Sequence, residues 1–107
     1  MAEEEIARLP RSGYARSFLA YLCAQIGERR RAEGEIKQAL QLSPADVDVI
    51  WMAALTYETL GRRDAALGVL GGASHELLAD LRRWPDMADL SNDSRFVQLD
   101  AANNSHR

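Results

Sequence analysis

The sequence predicts an all-α fold of tandem helix-turn-helix units closed by C-terminal capping helices, and three observations predict it. The first is an internal repeat. Offset by 34 positions, residues 13–46 and 47–80 are identical at Ala20/Ala54, Gly27/Gly61, Arg29/Arg63, Ala32/Ala66, Gly34/Gly68, Ala39/Ala73, Ala45/Ala79 and Asp46/Asp80. Chance in so Ala-rich a chain gives about three such matches, so two similar units lie in tandem. The second observation is periodicity. Phe18/Met52, Tyr21/Leu55, Cys23/Tyr57, Ile26/Leu60 and Ile36/Leu70 pair apolar with apolar, and within each unit these residues recur every three or four positions, as on one face of a helix. The third is punctuation: Gly27 and Gly61 stand where the first helix of each unit has to end, and glycine enters the left-handed region without a Cβ penalty.

The elements follow in order. Residues 1–12 precede the first unit, residues 13–46. Its first helix takes an apolar face from Phe18, Leu19, Leu22, Cys23 and Ile26 up to Gly27. Its second presents Ala32, Ile36, Ala39, Leu40 and Leu42 and stops before Pro44, because the residue preceding a proline is driven out of the helical region. Ser43 is then expected to cap the next helix, with Pro44 in its first turn and Asp46 completing a capping box. The second unit, residues 47–73, carries Val47, Ile50, Trp51, Ala54, Leu55, Tyr57 and Leu60 before Gly61. A shorter helix from about Asp64 to Leu70 follows, ended by Gly71-Gly72, where two adjacent residues combine high backbone entropy with no side chain to pack.

These units resemble tetratricopeptide repeats, whose 34-residue pattern runs Trp-x2-Leu-Gly-x2-Tyr and then Gly, Ala, a bulky residue, Ala and Pro. In the first unit Leu19-Ala20, Cys23, Gly27, Ala32, Ile36, Ala39 and Pro44 occupy those positions. In the second, Ile50, Ala53-Ala54, Tyr57, Gly61, Ala66, Leu70 and Ala73 do. The small residues Ala20, Ala32, Ala54 and Ala66 have a physical role there, since the two helices of a unit approach closely at those points. Arg16 departs from the pattern's aromatic, and Leu78 stands where Pro44 would recur. The resemblance implies a right-handed superhelix that presents a concave face to a protein or peptide.

Residues 74–99 read as the cap. From Ser74 to Trp84, Leu77, Leu78, Leu81 and Trp84 share one face, which suits the terminal element that an open stack of helices needs over its last apolar surface. Beyond it, Pro85 to Leu90 and Asp93 to Leu99 resemble the short helices that close such arrays in bacterial signalling proteins, with Ser94 in place of a usual proline. Residues 100–107 are expected to be a flexible tail.

Composition bounds the function. The chain has 107 residues, 47% hydrophobic and 27% charged, with a formal net charge of -3, which fits one soluble globular domain and argues against nucleic acid as partner. No run approaches the ~18 apolar residues of a membrane span, and the start at Met1-Ala2-Glu3-Glu4-Glu5 is acidic where a signal peptide is basic, so no membrane partner and a cytoplasmic location are expected. The single Cys23 fits a reducing compartment and a buried thiol. His75 and His106 lie far apart and neither stands in metal-ligand spacing to Cys23. Gly68, Gly71 and Gly72 lack the Lys-Ser/Thr of a phosphate loop, and Asp86, Asp89 and Asp93 lack the Gly and Glu of a calcium loop. No nucleophile has a base beside it. Neither metal, cofactor nor catalysis is therefore expected.

What remains is a surface. The first helix of each unit would line the concave face with Tyr14, Ser17, Phe18, Tyr21 and Gln25, and with Asp48, Trp51, Met52, Leu55 and Thr59. Two readings stand: the large apolar members are covered by neighbouring segments, or they form a groove for an apolar peptide or helix with Tyr21 and Trp51 as anchors. A clamp for a C-terminal carboxylate is excluded, because Ser17, Tyr21 and Met52 stand where Lys and Asn would be needed. Arg29, Arg30, Arg62 and Arg63 follow the two turn glycines and meet at one edge, either as a solvated face paired with Glu28, Glu33 and Asp64 or as a site for an anionic partner. The expected function is a non-enzymatic protein-interaction module. The alternative is a homodimerisation element or the regulatory tail of a larger bacterial signalling protein.

Overall fold

The computed structural model describes the backbone of residues 13–105 and the side chains of residues 13–102; the N-terminal segment expected over residues 1–12 lies outside them. All regular structure among the described residues is helical. Helix α1 spans Gly13–Gln25, α2 Arg29–Leu42, α3 Val47–Thr59, α4 Arg63–Val69, α5 His75–Arg83, α6 Ala88–Ser91 and α7 Ser94–Ser105, with a 3₁₀ turn at Pro85–Met87 between α5 and α6. Helices α1 and α2 pair, α3 and α4 pair, and α3 packs on α1, α2 and α5, so it is the element around which the chain is organised.

The repeat is visible in the backbone. Helix α3 begins and ends 34 positions after α1, and α4 begins 34 positions after α2. Gly27 and Gly61 both have left-handed φ, +84° and +76°. Each closes its helix with the same two hydrogen bonds: Gly27 N–H donates to Ala24 O and Glu28 N–H to Cys23 O, while Gly61 N–H donates to Glu58 O and Arg62 N–H to Tyr57 O. This pair of bonds satisfies carbonyls that a helix end otherwise leaves without partners. At the contact between paired helices Ala20, Ala32, Ala54 and Ala66 are fully buried, and the bulky Ile36 and Leu70 fill equivalent places. The two hairpins differ in one respect. Helix α4 stops at Val69, seven residues short of the point equivalent to the end of α2, and the chain turns through Gly71-Gly72.

Two boundaries and one face differ from the sequence expectation. Asp46, not Ser43, caps α3: its side chain accepts from the Asp48 and Val49 N–H groups, while Ser43 closes α2 through a bond from its own N–H to Ala39 O. Residues 43–46 form a turn instead, Asp46 N–H donating to Ser43 O, so the helix starts one turn later and Pro44 precedes it. Position 42 lies on the wrong side of α2, and Leu42 is exposed. Helix α7 continues past Leu99 to Ser105, where a flexible tail was expected.

Of the apolar face expected over residues 74–84 the three leucines are buried, whereas Trp84 lies one residue past α5 in extended backbone and is exposed. Ser74 accepts a hydrogen bond from the Leu77 N–H at the start of α5, and Leu77, Leu78 and Leu81 are buried. They join Val49, Ala53, Tyr57, Leu67 and Leu70 of the second hairpin in the main core, together with Met87, Leu90 and Phe96 from the tail helices. A smaller cluster, Leu19, Cys23, Ala24, Ala32 and Leu60, holds the first hairpin to the end of α3. Because α4 is short, α5 begins six residues ahead of the 34-residue register, and the tail helices pack on α5.

Candidate partner-binding groove

Three helices, α1, α3 and α5, turn side chains toward one open depression of about 340 Å³. Tyr14 comes from α1, Val47, Asp48, Trp51 and Met52 from α3, and Leu77 and Asp80 from α5. Their positions follow from helical spacing: Val47, Asp48, Trp51 and Met52 fall on one face at intervals of three and four, and the start of α1 lies beside that face because the two hairpins stack. Tyr14 is half exposed, Val47 is exposed, and Met52 is a buried floor. Trp51 is half-buried against the core and meets Trp84 edge to face, with ring centroids 5.6 Å apart and planes at 86°. That geometry sets the positive edge of one indole on the negative face of the other.

The residues expected on the concave face therefore separate. Tyr14, Asp48, Trp51 and Met52 are brought together. Phe18, Gln25 and Thr59 are exposed outside the depression, and Tyr21 is half-buried against the main core. Ser17 and Leu55 are buried, so neither offers a surface to a partner. Ser17 turns back into its own helix, its hydroxyl donating to Tyr14 O at 2.7 Å, and Leu55 belongs to the main core. Sequence reasoning missed the third wall, Leu77 and Asp80, because it assigned α5 only a covering role. Asp80 repeats Asp46 at the 34-residue offset, but the offset does not carry the position over: Asp46 caps the start of α3, whereas Asp80 is the sixth residue of α5.

The arginine edge is occupied from within the chain. Arg29 donates to Leu60 O at 2.6 Å, placing a cation at the C-terminal end of α3, where the helix dipole is negative. Arg62 pairs with Glu33 at 2.7 Å, while Arg63 pairs with Glu58 and lies 3.7 Å from Asp93. Arg95 bridges Asp64 at 2.6 Å and Asp93 at 3.1 Å. The Arg95 guanidinium, with the Arg95 N–H, holds the Asp93 carboxyl down at about 2, and Glu58 raises the Arg63 guanidinium above its ordinary value. Arg30 is exposed beside them. Burial, with Glu33 nearby and Arg62 partly opposing it, pushes the Tyr57 hydroxyl upward.

No family model, curated protein or solved structure matches this chain. Among the described residues, no group of three or more His, Cys, Asp or Glu side chains could hold a metal ion, and no helix is long and apolar enough to cross a membrane. Cys23 is buried and in no disulfide.

Proposed function

We propose that the chain is a non-enzymatic protein-interaction module of the tetratricopeptide kind, receiving an apolar peptide or helix in the groove between α1, α3 and α5. The observation that carries this reading is the groove's composition: an exposed tyrosine, an exposed valine and a half-buried tryptophan around a methionine floor. Tyrosine and tryptophan combine large contact area with few rotatable bonds, the feature of surfaces that bind other chains. The 34-residue register of the helices and the paired left-handed glycines support the family resemblance. Tyr14→Ala with Val47→Ser tests the reading, because both positions are exposed and contribute little to folding. The double variant should melt like the parent while losing ~2 kcal/mol or more of peptide affinity. Unchanged affinity places binding elsewhere.

A second reading has its own observation. Phe18 and Leu22 of α1 and Ile26 of the turn that follows lie at intervals of four and are all exposed, an apolar stripe that a second copy would cover. Sedimentation at two concentrations distinguishes the two readings. Concentration-dependent dimer formation that Leu22→Ser and Ile26→Ser abolish identifies a homodimerisation element.

A further inference from the structure

The groove is electrostatically one-sided. Asp48 and Asp80 line it, and among the described residues no basic side chain does. Among the described residues the Asp48 carboxylate meets no cation, and Asp80 has only Arg83, 3.6 Å away and largely exposed. Asp46 adds a third negative charge at the same end of α3, its carboxylate turned to the Asp48 N–H at 2.8 Å. Arg29, Arg62, Arg63 and Arg95 are engaged near the turns that close α1 and α3, at the opposite end of those helices, and Arg16, two residues from Tyr14 on α1, pairs with Glu35 of α2 at 2.8 Å.

Resting on the groove reading above, we propose that the bound segment is apolar and carries a Lys or Arg that pairs with Asp48 and Asp80, while its apolar neighbours lie on Tyr14, Trp51 and Met52. Docking removes water from both carboxylates. A wholly apolar segment would leave them desolvated and unpaired, and an acidic one would add repulsion. A cation supplies the missing partner, and the faces of Tyr14 and Trp51 attract it as well. Long Lys and Arg stems also let the same side chain contribute apolar contact before its charge reaches the rim. Two carboxylates around an aromatic groove thus select by charge as well as by area.

The test begins with a phage-displayed random peptide library selected against the whole chain, followed by synthetic copies of the enriched peptides titrated by fluorescence anisotropy. The expected consensus is a Lys or Arg flanked by apolar residues. Replacing that residue by Gln in the peptide, or introducing D48N/D80N in the protein, should each weaken binding about tenfold, and combining them should add little further loss. Asp48→Lys should restore binding to a peptide whose basic residue is changed to Glu, a rescue that no folding defect can produce. Peptides that require Tyr14 but bind D48N/D80N unchanged overturn the charge proposal and leave the groove reading standing. Enriched peptides indifferent to Tyr14→Ala overturn the groove reading itself. Self-association abolished by D48N/D80N seats a second copy in the groove and overturns a separate partner.

Discussion

Helices α1 and α3 carry the same pattern 34 positions apart, yet their equivalent residues meet different fates. Phe18 and Leu22 of α1 and Ile26 just past its end are exposed, whereas Met52, Thr56 and Leu60, which repeat them, are buried. Ile26 is 71% exposed and Leu60 3%. The difference is a neighbour. Helix α3 sits on the first hairpin, and Leu60 closes against Leu19, Cys23, Ala24 and Ala32. Among the described residues nothing covers the corresponding side of α1. Apolar spacing therefore says which face of a helix is suited to packing, and the stacking order says whether anything packs there.

The sharpest way to break this comparison is to truncate the equivalent pair. Leu60→Ala should destabilise the protein by about 2–4 kcal/mol through lost transfer energy and an unfilled cavity. Ile26→Ala should stay within about 0.5 kcal/mol, as exposed substitutions do. Denaturant titration of both variants measures the contrast, and equal losses would mean that the side of α1 is covered in solution.

The turn glycines test the opposite expectation, that the hairpins are alike where backbone rather than neighbours decides. A Cβ at Gly27 or Gly61 meets no atom within 4 Å, so Gly27→Val and Gly61→Val report backbone strain alone. Each should cost about 1–3 kcal/mol, with little difference between them. Thermal melts showing one substitution to be neutral would remove the common turn geometry.

A smaller effect is expected at the tryptophan pair. Trp84→Ala should remove an edge-to-face contact worth about 0.5–1.5 kcal/mol beyond the area it buries, and shift the Trp51 emission toward that of a more solvated indole. Unaltered emission would show that Trp84 does not shield Trp51. The smallest effect lies in acid. Because the Asp93 carboxyl is held at about 2 in the folded chain, below the ordinary aspartate value, it stabilises the fold above about pH 4 and loses that contribution as pH falls toward 2. Asp93→Asn should flatten the pH dependence of stability across that window in acid titrations followed by circular dichroism. A curve superimposable on the parent's would mean that Asp93 has no charge-dependent part in closing α7.

Much of this was legible along the chain. The paired glycines, the small residues between helices and the leucine face of the cap are local or periodic features, and each appears where its spacing places it. Asp46 escaped because Ser43-Pro44 and Asp46 are both plausible helix starts; the choice between them is made by where Ser43 must go to finish α2. The groove was half legible. Asp48, Trp51 and Met52 share a face of α3, and Tyr14 holds on α1 the place that Asp48 holds on α3, so they could be grouped from sequence, but Ser17 and Leu55 share that pattern and are buried. Nothing in spacing separates them.

By itself, then, the sequence determined the helices, their 34-residue register and the left-handed turns, because helix formation and glycine conformation are governed by residues within a few positions of one another. Only the tertiary structure decided which apolar faces are covered, that Trp84 rests on Trp51, that the arginine edge closes on internal carboxylates, and that α5 supplies Leu77 and Asp80 as a wall of the groove. Each of those outcomes depends on residues distant in the chain arriving at one place. Burial and charge pairing are properties of that meeting, and a linear pattern carries no record of it.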